Sequence, residues 1–175
     1  MTILNQPSAQ IIVDQINQDN VLAFRIDQVN FGVPSPVTGS GKRDTDIPVT
    51  AVVGKGYVGS NIVNLDRLKG ELLFLNYIPI LVVASPATTA DLLPAINARH
   101  GLQITPAEIN DVALSAVGPD GSITQLITFK DSCLVYEGSF TVIVNPGAAP
   151  QEGTLLTEDG MRLTTEDGQP LAIEV

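Results

Sequence analysis

Residues 85–109 read SPATTADLLPAINARHGLQITPAEI, and this stretch decides the fold class. Thr88 or Thr89 can cap a helix, and Gly101 supplies the left-handed residue at which helices commonly end. The apolar residues of this helix are Leu92, Leu93 and Ile96. TPAE at residues 105–108 is a capping box with proline at the first helical position, where no amide hydrogen bond is needed. The pattern therefore predicts two short helices that form a corner in the middle of the chain.

Strand patterns lie on both sides of this corner. Before it come IPVTAVV (47–53), YVGSNIVNLDRL (57–68) and ELLFLNYIPILVV (71–83), and after it come DVALSAV (111–117), ITQLITF (123–129), CLVYEG (133–138) and SFTVIVN (139–145). These runs are rich in β-branched residues and are separated by turn residues, which is typical of strands. Val135 and Phe140 lie across the Glu137-Gly138 turn, which predicts a hairpin-like pair at the end of the series.

The first thirty residues predict a helix followed by a strand. PSAQIIVDQINQDN (7–20) has Ser8 as a candidate N-cap and isoleucines at helical spacing, and VLAFRIDQVNF (21–31) alternates as strands do. Together the elements predict an α+β fold with an antiparallel-rich sheet, an N-terminal helix, a mid-chain two-helix corner and a C-terminal β-hairpin ribbon. We expect an α+β body over residues 1–145, a linker at 146–153 and the ribbon at 154–175.

Composition and charge narrow the classes of function. The 175 residues carry a net charge of −10, with 44% hydrophobic and 16% charged residues, which favours a folded core or buried interfaces over disorder. Nucleic-acid binding depends on clustered Lys and Arg, so we expect none here. The longest apolar run, residues 78–84, is too short to span a bilayer, and we expect neither a membrane segment nor a secretory signal.

One glycine motif suggests a cofactor site. Gly54, Gly56 and Gly59 match G-x-G-x-x-G behind an apolar run, as in dinucleotide-binding proteins. However, SNIVNLDR (60–67) is a poor opening for the helix that should follow, and no acidic residue stands where a ribose hydroxyl would need it. We therefore interpret the glycines as part of a tight β connection and predict no cofactor, with a dinucleotide-binding enzyme as the weakest alternative.

Single polar residues offer little chemistry. GSGKRD (39–44) fails the phosphate-loop pattern at two positions and is interpreted as an exposed loop. His100 falls in the last turn of its helix, where a cation is favoured for structural reasons. Cys133 is the only cysteine and lies in a strand-like run, so the default is a small buried hydrophobe. We predict no catalytic residues and no metal ligands.

The end of the chain repeats one acidic phrase. TEDG occurs at 157–160 and again at 165–168, and Asp-Gly is a strong hairpin-turn signal, although paired acids also suggest calcium. We favour turns in a three-strand ribbon, which has little core of its own and must pack on a body, another copy or a partner. The residues expected to make assembly contacts are Leu155, Leu156, Leu163 and Leu171 in the ribbon and Arg99 in the helical corner.

Three phrases resemble a known family. DIPVTAVVGKGYVGSNIVNLDRL (46–68), DLLPAINARHGLQITPAEINDVAL (91–114) and CLVYEGSFTVIVN (133–145) are similar to virion structural proteins of large tailed bacteriophages. The resemblance covers roughly residues 45–145 and is most specific over 91–109, and the TEDG phrase resembles tails on other phage structural proteins. The chain departs from the family pattern at Leu65-Asp66, where a tyrosine is usual, and at Ala107 in the capping box.

The resemblance implies a setting and no reaction. It implies a non-enzymatic structural component of a tailed phage virion, associated with tail, collar or baseplate and assembled in the bacterial host cytoplasm. Its partners would be other virion proteins and copies of itself, without nucleic acid or membrane. The alternatives are a capsid decoration protein and a receptor- or glycan-binding module.

Overall fold

The structure is a computed structural model that describes residues 4–37, 43–75 and 77–147. The α+β fold class, with an N-terminal helix and antiparallel-rich sheets, is confirmed. The elements are, in chain order, α1 (Ser8–Asn20), a 3-10 turn (Ile26–Gln28), β1 (Val29–Phe31), β2 (Ser35–Pro36), β3 (Thr45–Ala51), β4 (Ser60–Leu65), β5 (Leu68–Lys69), α2 (Gly70–Leu73), β6 (Ile80–Val82), a second 3-10 turn (Thr89–Leu92), α3 (Leu93–His100), β7 (Ile123–Thr128), β8 (Tyr136–Glu137) and β9 (Ser139–Asn145).

Three small sheets share the described body. In the first sheet β3 is central, with β1 and β2 antiparallel along one side and β4 antiparallel along the other. In the second, β9 is central, with β7 antiparallel and β6 parallel to it. The third is the short parallel pair of β5 and β8. The two long antiparallel pairs, β3 with β4 and β7 with β9, therefore form the frame of the fold.

One core joins these sheets to the helices. Alternate residues of β7 and β9 are buried, as expected for strands with one face toward the core. The helices α1 and α3 add their apolar faces to the same cluster. Its fully or nearly fully buried members include Ile12, Ile47, Leu81, Leu92, Ile96, Ile127, Tyr136, Val142 and Val144. The fold thus has a single contiguous hydrophobic interior across the described elements.

A buried carboxylate attaches α1 to the rest of the body. Glu108 is 9% exposed, and one of its oxygens accepts a hydrogen bond from the Ser8 backbone N–H at 3.2 Å. The other oxygen accepts bonds from the Thr105 N–H at 2.7 Å and the Thr105 hydroxyl at 2.9 Å. Ser8 is the first residue of α1, so the carboxylate meets the positive end of the helix dipole. A residue of the mid-chain turn therefore acts as the cap of a helix 100 positions earlier.

A second polar tie holds β5 against the 131–137 segment. Arg67 forms an ion pair with Glu137 at 2.9 Å, and its side chain is only 14% exposed. The same guanidinium donates to the carbonyls of Cys133 and Asp131. Just beyond, Gly70 packs so closely on β9 that an added Cβ would lie 2.7 Å from the Ser139 carbonyl oxygen. These contacts fix where the chain leaves the first sheet and enters α2.

The helical corner has one helix instead of two. Thr88 caps the 3-10 turn in a capping box with Asp91, and α3 ends at Gly101 in the left-handed region, as predicted. The predicted second helix is wrong, because residues 106–108 form only a turn. The Glu108 side chain does reach back to the Thr105 N–H, but the following residues leave the helical path to bond with β7, through the Asn110 N–H and the Thr128 carbonyl.

The strand predicted at residues 21–31 is wrong over most of its length. Only 29–31 form a strand, β1. The Asn17 side chain accepts a bond from the Phe24 N–H at 2.7 Å and donates to the Phe24 carbonyl at 2.8 Å. This clasp satisfies the backbone locally and leads into the 3-10 turn at Ile26–Gln28, so alternation alone was misleading here.

Two further β-structure predictions are wrong, and the predictions for the end of the chain lie outside the described residues. Residues 111–117 form no strand and make only one isolated bridge, Thr88 with Ala113. The expected hairpin across Glu137-Gly138 is also wrong, because β8 pairs with β5 whereas β9 pairs with β7 and β6. Gly138, at φ 73°, turns the chain between the two sheets. The predicted ribbon at 154–175, and the predicted linker beyond 147, lie outside the described residues.

We predict that Glu108→Ala lowers the free energy of unfolding by about 3 kcal/mol, because it leaves the buried Ser8 N–H and the partly buried Thr105 N–H without their acceptor. Glu108→Gln should cost less, since it keeps one acceptor oxygen. The measurement is chemical denaturation followed by circular dichroism, with Glu71→Ala at an exposed position as the control. Equal stabilities for Glu108→Ala and Glu71→Ala would contradict the capping role.

Candidate functional site

The described body has a cleft of about 920 Å³ between α1 and β4. One wall is the face of α1 that carries Ile12 and Ile16, and the other is the inner face of the first sheet, with Val63 and Leu65. Every residue of β4 lines the cleft. The cleft therefore combines apolar side chains with the backbone of a strand.

The pairing of β3 and β4 decides which side chains face the cleft. Ile47 is fully buried and lies opposite Val63, so the odd-numbered residues of β4 point inward. Ile62 lies opposite Pro48 on the other face and is 60% exposed. The inner face of β4 is thus apolar at Val63 and Leu65, while its outer face is open to solvent.

Within the described ranges, β4 pairs with β3 alone, so its other edge has no strand beside it. Proteins usually protect such edges with charged residues, proline, bulges or covering segments. The six residues SNIVNL contain no charge and no proline. This edge is consequently suited to accept another strand.

The other long edge strand is better covered. The Asn110 N–H bonds to the Thr128 carbonyl at the end of β7, and Gln125 binds Ser115 with its carbonyl oxygen and the Leu126 carbonyl with its amide. The short edge at β6 has its Ile80 carbonyl bonded to Arg99 at 2.9 Å. Among the edges of the described sheets, β4 offers the longest uncovered stretch.

The loop between β3 and β4 forms the rim of the cleft at one end. Val53 and Val58 are 97% and 98% exposed, and Val58 lines the cleft. Tyr57 packs edge-on against Phe24 with ring centroids 4.2 Å apart, which anchors the loop beside the end of α1. Exposed valines on an anchored loop are typical of a contact surface.

The glycine motif lies in this same loop. Gly54, Gly56 and Gly59 have φ of 80°, 95° and 94°, values that suit glycine. The loop joins two antiparallel strands, and the element after it is β4, where a dinucleotide site requires the start of a helix. The glycines thus form the β connection that the sequence suggested.

His100 lies in a second, aromatic environment. Its ring packs against Phe74 with centroids 4.8 Å apart, and its Nδ1 lies 3.2 Å from the Tyr77 hydroxyl. Burial, and next the neighbouring charge of Arg99, lower the pKa of His100. The neutral ring is therefore favoured, which differs from the expected cation at the helix end.

A polar cluster that the sequence did not reveal lies beneath α1. Ser8, Glu108, Cys133 and Tyr136 are all at least nine-tenths buried, and the Ser8 hydroxyl lies 3.8 Å from the Cys133 sulfur. Burial raises the pKa of the Cys133 thiol. Burial, and next the charge of Glu108, raise the pKa of Tyr136. Both groups stay protonated, so the cluster suits a structural role better than nucleophilic chemistry. Only contacts over about 100 positions create it, which is why no local pattern marks it.

Of the five residues expected to make assembly contacts, only Arg99 lies within the described ranges. Arg99 is exposed at the end of α3 and donates to the Ile80 carbonyl, so it ties this helix to β6. The leucines at 155, 156, 163 and 171 lie outside the described residues. The expected contact roles of all five stay predictions.

No three His, Cys, Asp or Glu side chains within the described ranges converge so that they could hold a metal ion. No helix there has the length and apolar character needed to cross a bilayer.

Comparisons with known proteins place the chain in a family. The model of a family of unknown function, DUF7941, matches residues 1–150, so the chain belongs to that family. No curated protein and no solved structure matches the chain.

We predict that the fold loses stability because of His100 as the pH falls below about 6.5. Its folded pKa lies below the ordinary 6.5, so the unfolded chain takes up the proton first and the stabilisation present above pH 6.5 is lost as the pH falls. Thermal unfolding followed across this pH range should show the loss in the unmodified chain, and His100→Gln should flatten it. An unchanged pH profile in His100→Gln would contradict the assignment.

Proposed function

We propose that this member of the family is a non-enzymatic structural component of a tailed bacteriophage virion, in the tail, collar or baseplate. We further propose that it assembles with virion proteins and copies of itself through the cleft between α1 and β4. The observation that carries this proposal is the uncovered edge of β4 inside an apolar cleft. The resemblance of residues 45–145 to virion proteins supplies the setting.

The balance of apolar surface supports an assembly role. Apolar residues that are about half or more exposed occur around the cleft, at Val53, Val58 and Ile62. Others occur around α2 and β6, at Leu72, Leu75, Tyr77 and Ile78. Clusters of exposed apolar side chains are more often protein contact sites than surfaces that stay exposed to water. A protein that is permanently assembled covers such surfaces with its neighbours.

Charge supports the same role. The net charge of −10 keeps free copies apart in solution before they assemble. The charged residues that line the cleft are few, namely Asp19, Arg43 and Asp66. Interfaces commonly have a core depleted of charge within a polar rim, and the cleft has this arrangement.

The comparison of Val58 with Val117 tests the cleft as the contact surface. Both side chains are exposed, but only Val58 lines the cleft. We predict that Val58→Asp weakens self-association about tenfold or more, since burying a valine contributes roughly 1.5 kcal/mol and a buried charge costs more. Val117→Asp should leave it unchanged. Sedimentation equilibrium measures both, and equal effects would contradict the cleft.

The proposed location in a phage virion can be tested separately. Purified particles of the phage that encodes this chain should contain it in several copies, as measured by quantitative mass spectrometry. Antibody labelling seen by electron microscopy should place it on the tail, collar or baseplate. A chain that is expressed during infection but absent from purified particles would contradict the proposal, and labelling confined to the capsid would favour a decoration protein.

A further inference from the structure

The hydrogen bond between Gly32 and Pro48 shows in which direction the backbone groups of β4 point. The Gly32 N–H donates to the Pro48 carbonyl at 2.7 Å, so the backbone groups of Pro48 point toward the β1 side of β3. Ile62 lies opposite Pro48 and is therefore in a non-hydrogen-bonded pair. The N–H and C=O of Ile62 point away from β3, toward the free edge. The same alternation directs the groups of Ser60 and Asn64 outward.

The free edge satisfies one of these groups by a local bond. The Ile62 N–H donates to the side-chain oxygen of the preceding residue, Asn61, at 2.9 Å. Such a local side-chain bond replaces the hydrogen bond that a neighbouring strand would make, and it competes with strand pairing. An arriving strand would supply a carbonyl in its place and release the Asn61 amide.

We propose that residues 171–175 of a neighbouring copy add to this edge of β4 as a further strand. This inference rests on the proposed assembly function and names the occupant of its cleft. The new strand would bond to the outward groups of Ile62 and Asn64. Its apolar side chains would enter the cleft between α1 and the sheet.

The sequence LAIEV at 171–175 has the pattern that this position requires. Leu171, Ile173 and Val175 alternate with Ala172 and Glu174, as in a strand with one apolar and one solvated face. With the apolar face inward, the three side chains would extend the row formed by Val63 and Leu65. Glu174 would then lie on the outer face, beside the exposed Ile62. Main-chain bonds of this kind give affinity, and alternate side chains give specificity.

The segment before Leu171 is long enough to reach a neighbouring copy. The described body ends at Gly147, which lies against Val82 of β6. About 24 residues from there to Leu171 span roughly 27 Å as a coil and about 80 Å when extended. Residues 148–175 carry six acidic residues and one arginine, which is half of the net charge of the chain. Five of the six acidic residues precede Leu171, so the stretch proposed to enter the cleft carries only one charge, at Glu174.

Substitutions at Ile62 test the acceptor edge. Ile62→Pro removes the outward N–H without disturbing the pairing with β3, because proline is tolerated where its nitrogen faces away from the ladder. Ile62→Ala keeps the N–H and removes only the side chain. In light scattering of the full chain, we expect Ile62→Pro to lower the association constant at least tenfold and Ile62→Ala to leave it within about twofold. Circular dichroism of the variants checks that both fold.

Substitutions in the donor segment give the matching test. Ile173→Asp places a charge on the apolar face and Ala172→Asp places the same charge one residue away, on the other face. We expect Ile173→Asp alone to abolish association. Mixing Ile173→Asp with Ile62→Pro should restore dimers, since one variant retains an intact acceptor edge and the other an intact donor segment.

The outcomes separate this inference from the proposed function. If Val58→Asp disrupts association but the variants at Ile62 and Ile173 do not, the cleft is an interface and the strand donor is wrong. If the full chain and all variants are monomers, donation between copies is overturned, and the particle composition then decides the proposed function separately. Equal effects of Ile173→Asp and Ala172→Asp would also overturn the predicted face.

Discussion

The contact between the Glu108 carboxylate and the first turn of α1 is the constraint on which the described arrangement depends. A buried carboxylate is costly unless its oxygens are bonded, and here the Ser8 N–H and Thr105 meet that need. The bond fixes the start of α1 relative to β7 and the mid-chain turn. Since α1 forms one wall of the cleft, this bond helps to position that wall. The polar cluster beneath α1 is therefore the support of the surface that we assign to assembly.

A second constraint comes from Pro48 in the central strand of the first sheet. Proline is unusual inside a sheet because it cannot donate to the ladder. Here its nitrogen is directed to the side where Gly32 approaches, and an added Cβ on Gly32 would lie 3.0 Å from the proline ring. The pair sets the hydrogen-bonding register of β3, which in turn sets which groups of β4 face outward. Pro48 in β3 thereby determines which backbone groups of β4 point toward the free edge.

Local patterns in the sequence predicted much of the frame. The strands β3, β4, β7 and β9, the helix α3 with its Gly101 stop, and the glycine connection at 54–59 were all readable, because each depends on residues close in the chain. The errors occurred where distant contacts decide. Residues 111–117 have a strand pattern, but their partners include Asp111 with the Ala90 N–H and Ser115 with Gln125, which anchor them as an extended loop. The bond from Glu108 to Ser8 and the uncovered edge of β4 depend on topology, which no local pattern contains.

The most direct test of the account is amide hydrogen exchange at Ile62 and Asn64 in the full chain. If a neighbouring strand bonds to the β4 edge, these amides should become protected as the protein concentration rises, and the protection should disappear in Ile173→Asp. Amides of β9, which lie in the centre of the second sheet, should be protected at all concentrations. Rapid exchange at Ile62 and Asn64 at every concentration, with β9 protected, would contradict the claim that this edge is an assembly site.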